Sequence, residues 1–470
     1  MADITLPKIF SDHMVLQRGS TVKVWGTAEA NQELVVKFDK QEIKVAAGGN
    51  GNWQSNIQTP RDAGGPFELE VGSTSGDLKV VFSDVMVGEV WICAGDSNMD
   101  HDLSQVLNSE NEIELSKNFQ QIRLFSVDPD VSAQSLTDFQ KVQPWSVCSP
   151  ETVKEFSATA YFFGRELSKE LPNVPIGLIE LSSPGAPIES WCSAQSLKEI
   201  DVLNPLFEHW SLLDDPNNIR RPGTAFNAMV TPLADLPVAG VVWHQGETNI
   251  GRANQYSTLL PAMIDNWRKC FKNADLTFLI VQLHPFRHES LSTESLPEMW
   301  DVQRRVAAKD PHAHLIVTGD IGDTQQRFPK NKQEVGRRLA LLGRHTVYAE
   351  HLPPVKQVAM VAGPVFSASE ATNEGIEIRF LNCKDGLKLK DGDSEITGFM
   401  ICGEDKKFVP AKAEIVGNKI RVSSSDVKFP QQVRYCWEDT AQPNVFNSLG
   451  LPVAPFRTDD FELQSVGSHF

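Results

Sequence analysis

The chain has 470 residues, 41% of them apolar and 22% charged, the balance of an ordinary globular protein, and its length calls for two or three domains rather than one core. A net charge of −17 argues against nucleic acid or an anionic membrane surface as a partner, since both reward a basic face. No apolar run approaches the roughly 20 residues that span a bilayer, and the scattered cysteines, odd in number and without a C-x-x-C pair, make neither a zinc site nor a disulfide scaffold.

Met1 is followed almost at once by the polar "ADIT", which is not a secretion leader. A secreted or periplasmic chain with its leader removed would look the same, so the compartment stays open. Residues 1–86 alternate with period two. "TVKVWG" (21–26), "ELVVKF" (33–38), "FELEVG" (67–72) and "LKVVF" (78–82) read as strands separated by Gly-, Asn- and Asp-rich turns, with "GGNGNW" (48–53) as one such turn. This predicts a small N-terminal antiparallel β-sandwich.

From residue 87 to 350 the rhythm changes. Short, wholly apolar strands ("EVWICAG", "VPIGLIEL", "VAGVVWHQG", "TFLIVQL", "HLIVTGD") alternate with helical stretches, among them "FSATAYFFGRELSKEL" and "NKQEVGRRLALLGRH", where Val335, Leu339 and Leu342 fall at helical spacing. Continuous apolar strands between helices predict an α/β domain, a parallel sheet covered on both faces. Beyond residue 351, "GIEIRFL", "ITGFMICG", "KIRVSS" and "QQVRYCW" predict a C-terminal β region to residue 470.

In a parallel sheet, function gathers beyond the carboxyl ends of the strands. Four such ends carry polar sets: "GDSNM" with Ser97, "SSPGAPIESW" (182–191) with Gly185, "WHQGETN" (243–249) with His244, Gln245, Glu247 and Asn249, and "TGDIGDTQQRFPKNK" (318–332). Asp, Ser and Asn are the preferred N-cap residues, so Ser97 has a structural as well as a chemical reading.

Taken in order, with "LPKIFSDHMVLQRGSTVKVWGTA" (6–28) before them and "VRYCWEDTAQPNVFNSLGLPVAPFRTD" (433–459) after, these segments resemble the sialate O-acetylesterase family of the SGNH hydrolase superfamily over nearly the whole chain. The resemblance implies an SGNH-type parallel sheet and hydrolysis of acetyl esters on sugars, with a small O-acetylated sugar as partner and neither cofactor nor metal. Ser97 matches the serine nucleophile, whose alcohol needs a base to remove its proton. The Ser97 and Gly185 backbone N–H groups and the Asn249 side chain match the oxyanion donors, each typically worth about 2.7–4 kcal/mol in the transition state. His244 and Gln245 are expected to line the substrate.

Several positions depart from the family pattern. Where the family reads "GQSN", this chain reads "GDSN", placing Asp96, counted here with the substrate-binding residues, where a neutral amide belongs. The family's Asp-x-His-Pro set is Gln326, Arg327, Phe328 and Pro329, so the histidine position holds phenylalanine and its aspartate partner is glutamine. Phenylalanine accepts no proton, and glutamine does not stabilise an imidazolium as a carboxylate does. Pro184 stands where a second glycine is usual, which removes a backbone donor. Loss of a triad member can cost about 10⁶ in turnover.

These residues admit three readings. One is an esterase using Ser97 with a base from outside the family pattern, His284 being the leading surrogate and His101 another. The second is a catalytically impaired pseudo-esterase that binds sugar or acts as a scaffold. The third is a different reaction in the same cleft built on Asp96.

Overall fold

The computed structural model describes residues 3–348 and 361–468. The N-terminal part contributes β1 (Val15–Gln17), β2 (Thr21–Thr27), β3 (Glu33–Phe38), β4 (Gln41–Ala46), β5 (Asn52–Gln58) and β6 (Gly64–Ser73). β2 pairs with β5, and β4, β3 and β6 continue antiparallel onto a long strand, β7 (Lys79–Gly95). Alternation sets this up: on β5, Trp53, Ser55 and Ile57 are buried while Asn52, Gln54 and Asn56 are exposed, the pattern of a sheet with one wet face. β4 and β5 were not among the predicted strands, and Asn52 and Trp53 of the expected turn open β5.

β7 joins the two architectures. Its first half pairs antiparallel with β6, and its second half, "EVWICAG", lies parallel between two neighbours. The strand runs unbroken through residues 86 and 87, and apolar residues on both sides of that point share one core. The central sheet continues with β8 (Ile122–Val127), β9 (Val142–Val147), β10 (Ile176–Ser182), β11 (Gly240–His244), β12 (Phe278–Val281) and β13 (Ala313–Ile316) in the order β13-β12-β11-β7-β10-β8-β9. All these pairings are parallel except β8–β9. β8 and β9 were unanticipated; β9 holds Pro144, which an edge strand tolerates because no neighbour needs its N–H.

The helices are α1 (Ser97–Asp100), α2 (Ser109–Leu115), α3 (Ala158–Glu170), α4 (Ala194–Lys198), α5 (Asn204–Ser211), α6 (Ala253–Cys270), α7 (Ser295–Lys309) and α8 (Lys332–Val347). Period-two alternation divides the sheet's side chains between two layers. Val241 and Trp243 pack in the core that holds α6 and α7, whereas Val242 packs in the core of α3 and α8. Because both faces are covered, β10, β11 and β12 are buried at every residue. α3 and α8 meet at Gly336, where a Cβ would lie 2.4 Å from the Phe162 Cβ.

The C-terminal region is antiparallel. Val365–Thr372, Gly375–Leu381, Lys419–Ser423 and Lys412–Val416 form one sheet, and Phe399–Cys402, Gln432–Tyr435 and Phe456–Arg457 belong to a second. They enclose a separate core around Ile378, Ile401, Val433 and Tyr435. The region is tied to α7 and the turn before it by Arg457–Asp301 and Arg434–Glu294. The expected boundary at 350/351 lies outside the described residues. The cysteines are all unbridged, and among the described residues no helix is long and apolar enough to cross a membrane.

Candidate active site

The order of the strands brings the four polar strand ends together. β7 is first in sequence of the central parallel strands and lies between β10 and β11, so the chain departs from it in both directions and leaves a crevice at its carboxyl end. Gly95 permits the closeness: a Cβ there would stand 2.0 Å from the His244 carbonyl oxygen. Asp96 then donates its own N–H to that carbonyl at 3.1 Å and caps α1, which begins at Ser97.

The Asp96 side chain is 1% exposed, and it converges on the nucleophile position. Its Oδ1 accepts the backbone N–H of Ser97 (2.7 Å), the hydroxyl of Ser97 (3.1 Å) and the backbone N–H of Gly185 (2.8 Å). Its Oδ2 accepts the Thr248 hydroxyl at 3.2 Å. The two N–H groups are those expected from the resemblance to serve as oxyanion donors, and here both donate to one carboxylate oxygen. Gly185, at φ +81°, adopts a conformation that side-chain-bearing residues rarely take.

Asn249 and Gln245 are fully buried and join the turns behind the crevice. Asn249 Oδ1 accepts the Ile188 N–H (3.0 Å) and Gln245 Nε2 (2.8 Å), while its Nδ2 donates to Glu189 Oε2 (2.9 Å). Glu189 is in turn paired with Arg252 at 2.8 Å. Gln245 Oε1 accepts the Tyr256 hydroxyl at 3.1 Å. Asn249 therefore orients the turn after β10 through bonds of its own.

Gln326 and Phe328, which the resemblance sets at the triad's aspartate and histidine positions, are exposed on the loop after β13. That loop lies against α1: Asn98 Nδ2 donates to the Arg327 carbonyl at 3.4 Å, and the Phe328 ring is 6.3 Å from the His101 ring. His284 is 2% exposed, and its Nε2 bonds the Gln326 carbonyl at 3.0 Å. A carbonyl only accepts, so Nε2 carries the proton. Burial, with Lys332 nearby, pushes this imidazole down to about 3. His101 is lowered to about 4 by burial and by Lys332 and Lys330. His244, whose Nδ1 is buried without a partner, is held well below its ordinary value by burial. Among the described residues, the hydrogen-bond partner of the Ser97 hydroxyl is Asp96.

Under α1 lies a buried network that joins Glu247, noted in the sequence, to Asn98 and to a lysine that the sequence reading missed. Lys332 is completely buried, and its Nζ donates to Asn98 Oδ1 at 2.6 Å; Asn98 Nδ2 in turn donates to Glu247 Oε1. Burial lowers the Lys332 ammonium, with Glu247 opposing, and burial and then Asp96 raise the Glu247 carboxyl. A signal was available: Lys332 stands three residues before Val335 on the stripe that also carries Leu339 and Leu342, so its side chain belongs to the buried face of α8.

Residues 87–341 match the family model described as carbohydrate esterase, sialic acid-specific acetylesterase. The chain is 31% identical to the sialate O-acetylesterase of Pongo abelii and 29% identical to that of Homo sapiens, each over 95% of this chain and 91% of the relative. A crystal structure of a carbohydrate acetylesterase from Xanthomonas citri superposes with a TM-score of 0.86 at 33% identity, covering 97% of this chain and 100% of the other. This chain belongs to the sialic acid-specific acetylesterase family of carbohydrate esterases.

Proposed function

We propose that this member of the acetylesterase family binds O-acetylated sugars at the carboxyl ends of β7, β10 and β11 and is catalytically impaired, a pseudo-esterase with respect to its family's serine–histidine route. The observation that carries the reading is the position of Asp96 Oδ1, bonded at once to the Ser97 hydroxyl and to the Ser97 and Gly185 N–H groups. Acyl transfer needs a base for the serine proton and open donors for the oxyanion. Carboxylates are weak bases toward an alcohol, since an efficient general base has a pKa near the working pH. A carboxylate between the donors also opposes a second negative charge developing there.

The rival reading, an active esterase with His284 as base, is weakened by the bond from His284 Nε2 to Gln326 and by the low basicity that burial gives the ring. The test is acetate release from O-acetylated N-acetylneuraminic acid by the parent, by Ser97→Ala, and by a triple variant Asp96→Gln, Gln326→Asp, Phe328→His. The expected result is equal background rates for the first two and a gain for the third that disappears when Ser97→Ala is added. Release by the parent that Ser97→Ala abolishes would overturn the reading and make His284 the next residue to replace.

A further inference from the structure

Phe328, where the resemblance expects histidine, presents an aromatic ring 39% exposed on the loop that lies beside His101 and α1. Arg327 lies over that ring, its guanidinium carbon 5.7 Å from the centroid. Arg337 and Arg338 in the following helix are paired with Glu334 and Asp320, whereas Arg327 has no carboxylate partner among the described residues. The loop is fixed beside the nucleophile turn at two points, by Asn98 Nδ2 on the Arg327 carbonyl and by His284 Nε2 on the Gln326 carbonyl. Pro329 is buried beneath it.

We propose that Arg327 and Phe328 form a specificity platform for a sugar bearing a carboxylate, with the ring of Phe328 against the sugar's apolar face and the Arg327 guanidinium on the acid. The proposal rests on the sugar-binding reading above and deepens it. A guanidinium offers a carboxylate two parallel N–H donors, which an ammonium cannot match in geometry. Charge placement supports the assignment. The chain as a whole carries −17, which repels an acidic sugar at long range, so its recognition depends on local cations. Lys330 is exposed two residues beyond Phe328, and with Lys332 it bears on His101 beside that ring.

The experiment is a calorimetric titration of the full chain with the methyl glycoside of O-acetylated N-acetylneuraminic acid and with the methyl ester of the same glycoside, which lacks the charge. The parent is expected to bind the acid at least tenfold more tightly than the ester. Arg327→Gln is expected to abolish that difference and leave ester binding unchanged, and Phe328→Ala to weaken both ligands alike. Both side chains are exposed, so unfolding midpoints equal to the parent's are expected as a control. Equal binding of acid and ester by the parent, or discrimination that survives Arg327→Gln, overturns this proposal while the sugar-binding reading stands. Failure of the parent to bind either sugar overturns both.

Discussion

The Gly185 backbone nitrogen stands 2.8 Å from Asp96 Oδ1, joining the turn after β10 to the residue before the nucleophile position. With the Ser97 N–H on the same oxygen, one carboxylate satisfies two backbone donors at the sheet edge. Replacing Asp96 by Ala leaves both part-buried donors without this acceptor, and an intramolecular hydrogen bond contributes about 0.5–1.5 kcal/mol net. Asp96→Asn keeps an acceptor oxygen at the same place. Urea unfolding should therefore show Asp96→Ala less stable than the parent by about 1–3 kcal/mol, with Asp96→Asn losing clearly less.

The Lys332–Asn98–Glu247 set predicts a larger effect. Removing one member of a buried charged network strands the others, at a typical cost of about 3–5 kcal/mol, whereas removing both charges costs less than the sum. Lys332→Met and Glu247→Gln are each expected to destabilise strongly, and the double variant to be more stable than additivity of the two predicts. A double-mutant cycle by urea denaturation measures this. An additive result would mean that the two charges do not communicate through Asn98.

What the sequence disclosed and what it withheld follow from range. Strands such as "GLIEL" and "GVVWH" were legible because burial on both faces writes itself as an uninterrupted apolar run. β5 was obscured because its exposed positions carry Asn and Gln, and β9 because Pro144 interrupts it. At the site, the resemblance singled out Ser97, Gly185 and Asn249 as expected site residues and 326 and 328 as departures from the family pattern. The sequence could not indicate that Asp96 turns its carboxylate onto Gly185, since that contact spans 89 residues, whereas its bonds to the adjacent Ser97 are local. Lys332 was passed over because a lysine reads as surface, although its place on the α8 stripe argued otherwise.

Gly336 gives a packing test independent of the site. α3 crosses α8 where a Cβ at 336 would lie 2.4 Å from Phe162 Cβ and 2.6 Å from the Phe163 backbone nitrogen. Backbone cannot yield as a flexible side-chain end can, so Gly336→Ala forces the helices apart despite alanine's better helix propensity. Overpacking of this kind costs about 1–3 kcal/mol. Thermal unfolding should show a lowered midpoint; an unchanged or raised one would mean that the α3–α8 contact is slack.

His284 sets the direction of an acid effect on stability. Its ordinary value of 6.5 is lowered to about 3 in the folded chain, chiefly by burial. Between those values the unfolded state binds the proton and the folded state does not, so stability is fully present above pH 6.5 and declines as the pH falls toward 3. Each pH unit inside that window is worth about 1.4 kcal/mol, so the step from pH 7 to pH 5 removes about 2 kcal/mol through this group. Glu180, raised from 4.5 to about 7 by burial, runs the opposite way over part of the same range. The His284 contribution must therefore be read by difference. His284→Gln retains an N–H for the Gln326 carbonyl and does not titrate, so the parent should lose about 2 kcal/mol more than this variant between pH 7 and pH 5. Equal losses in urea unfolding at the two pH values would show that the His284 ring accepts a proton in the folded chain, and would restore it as a candidate base for Ser97.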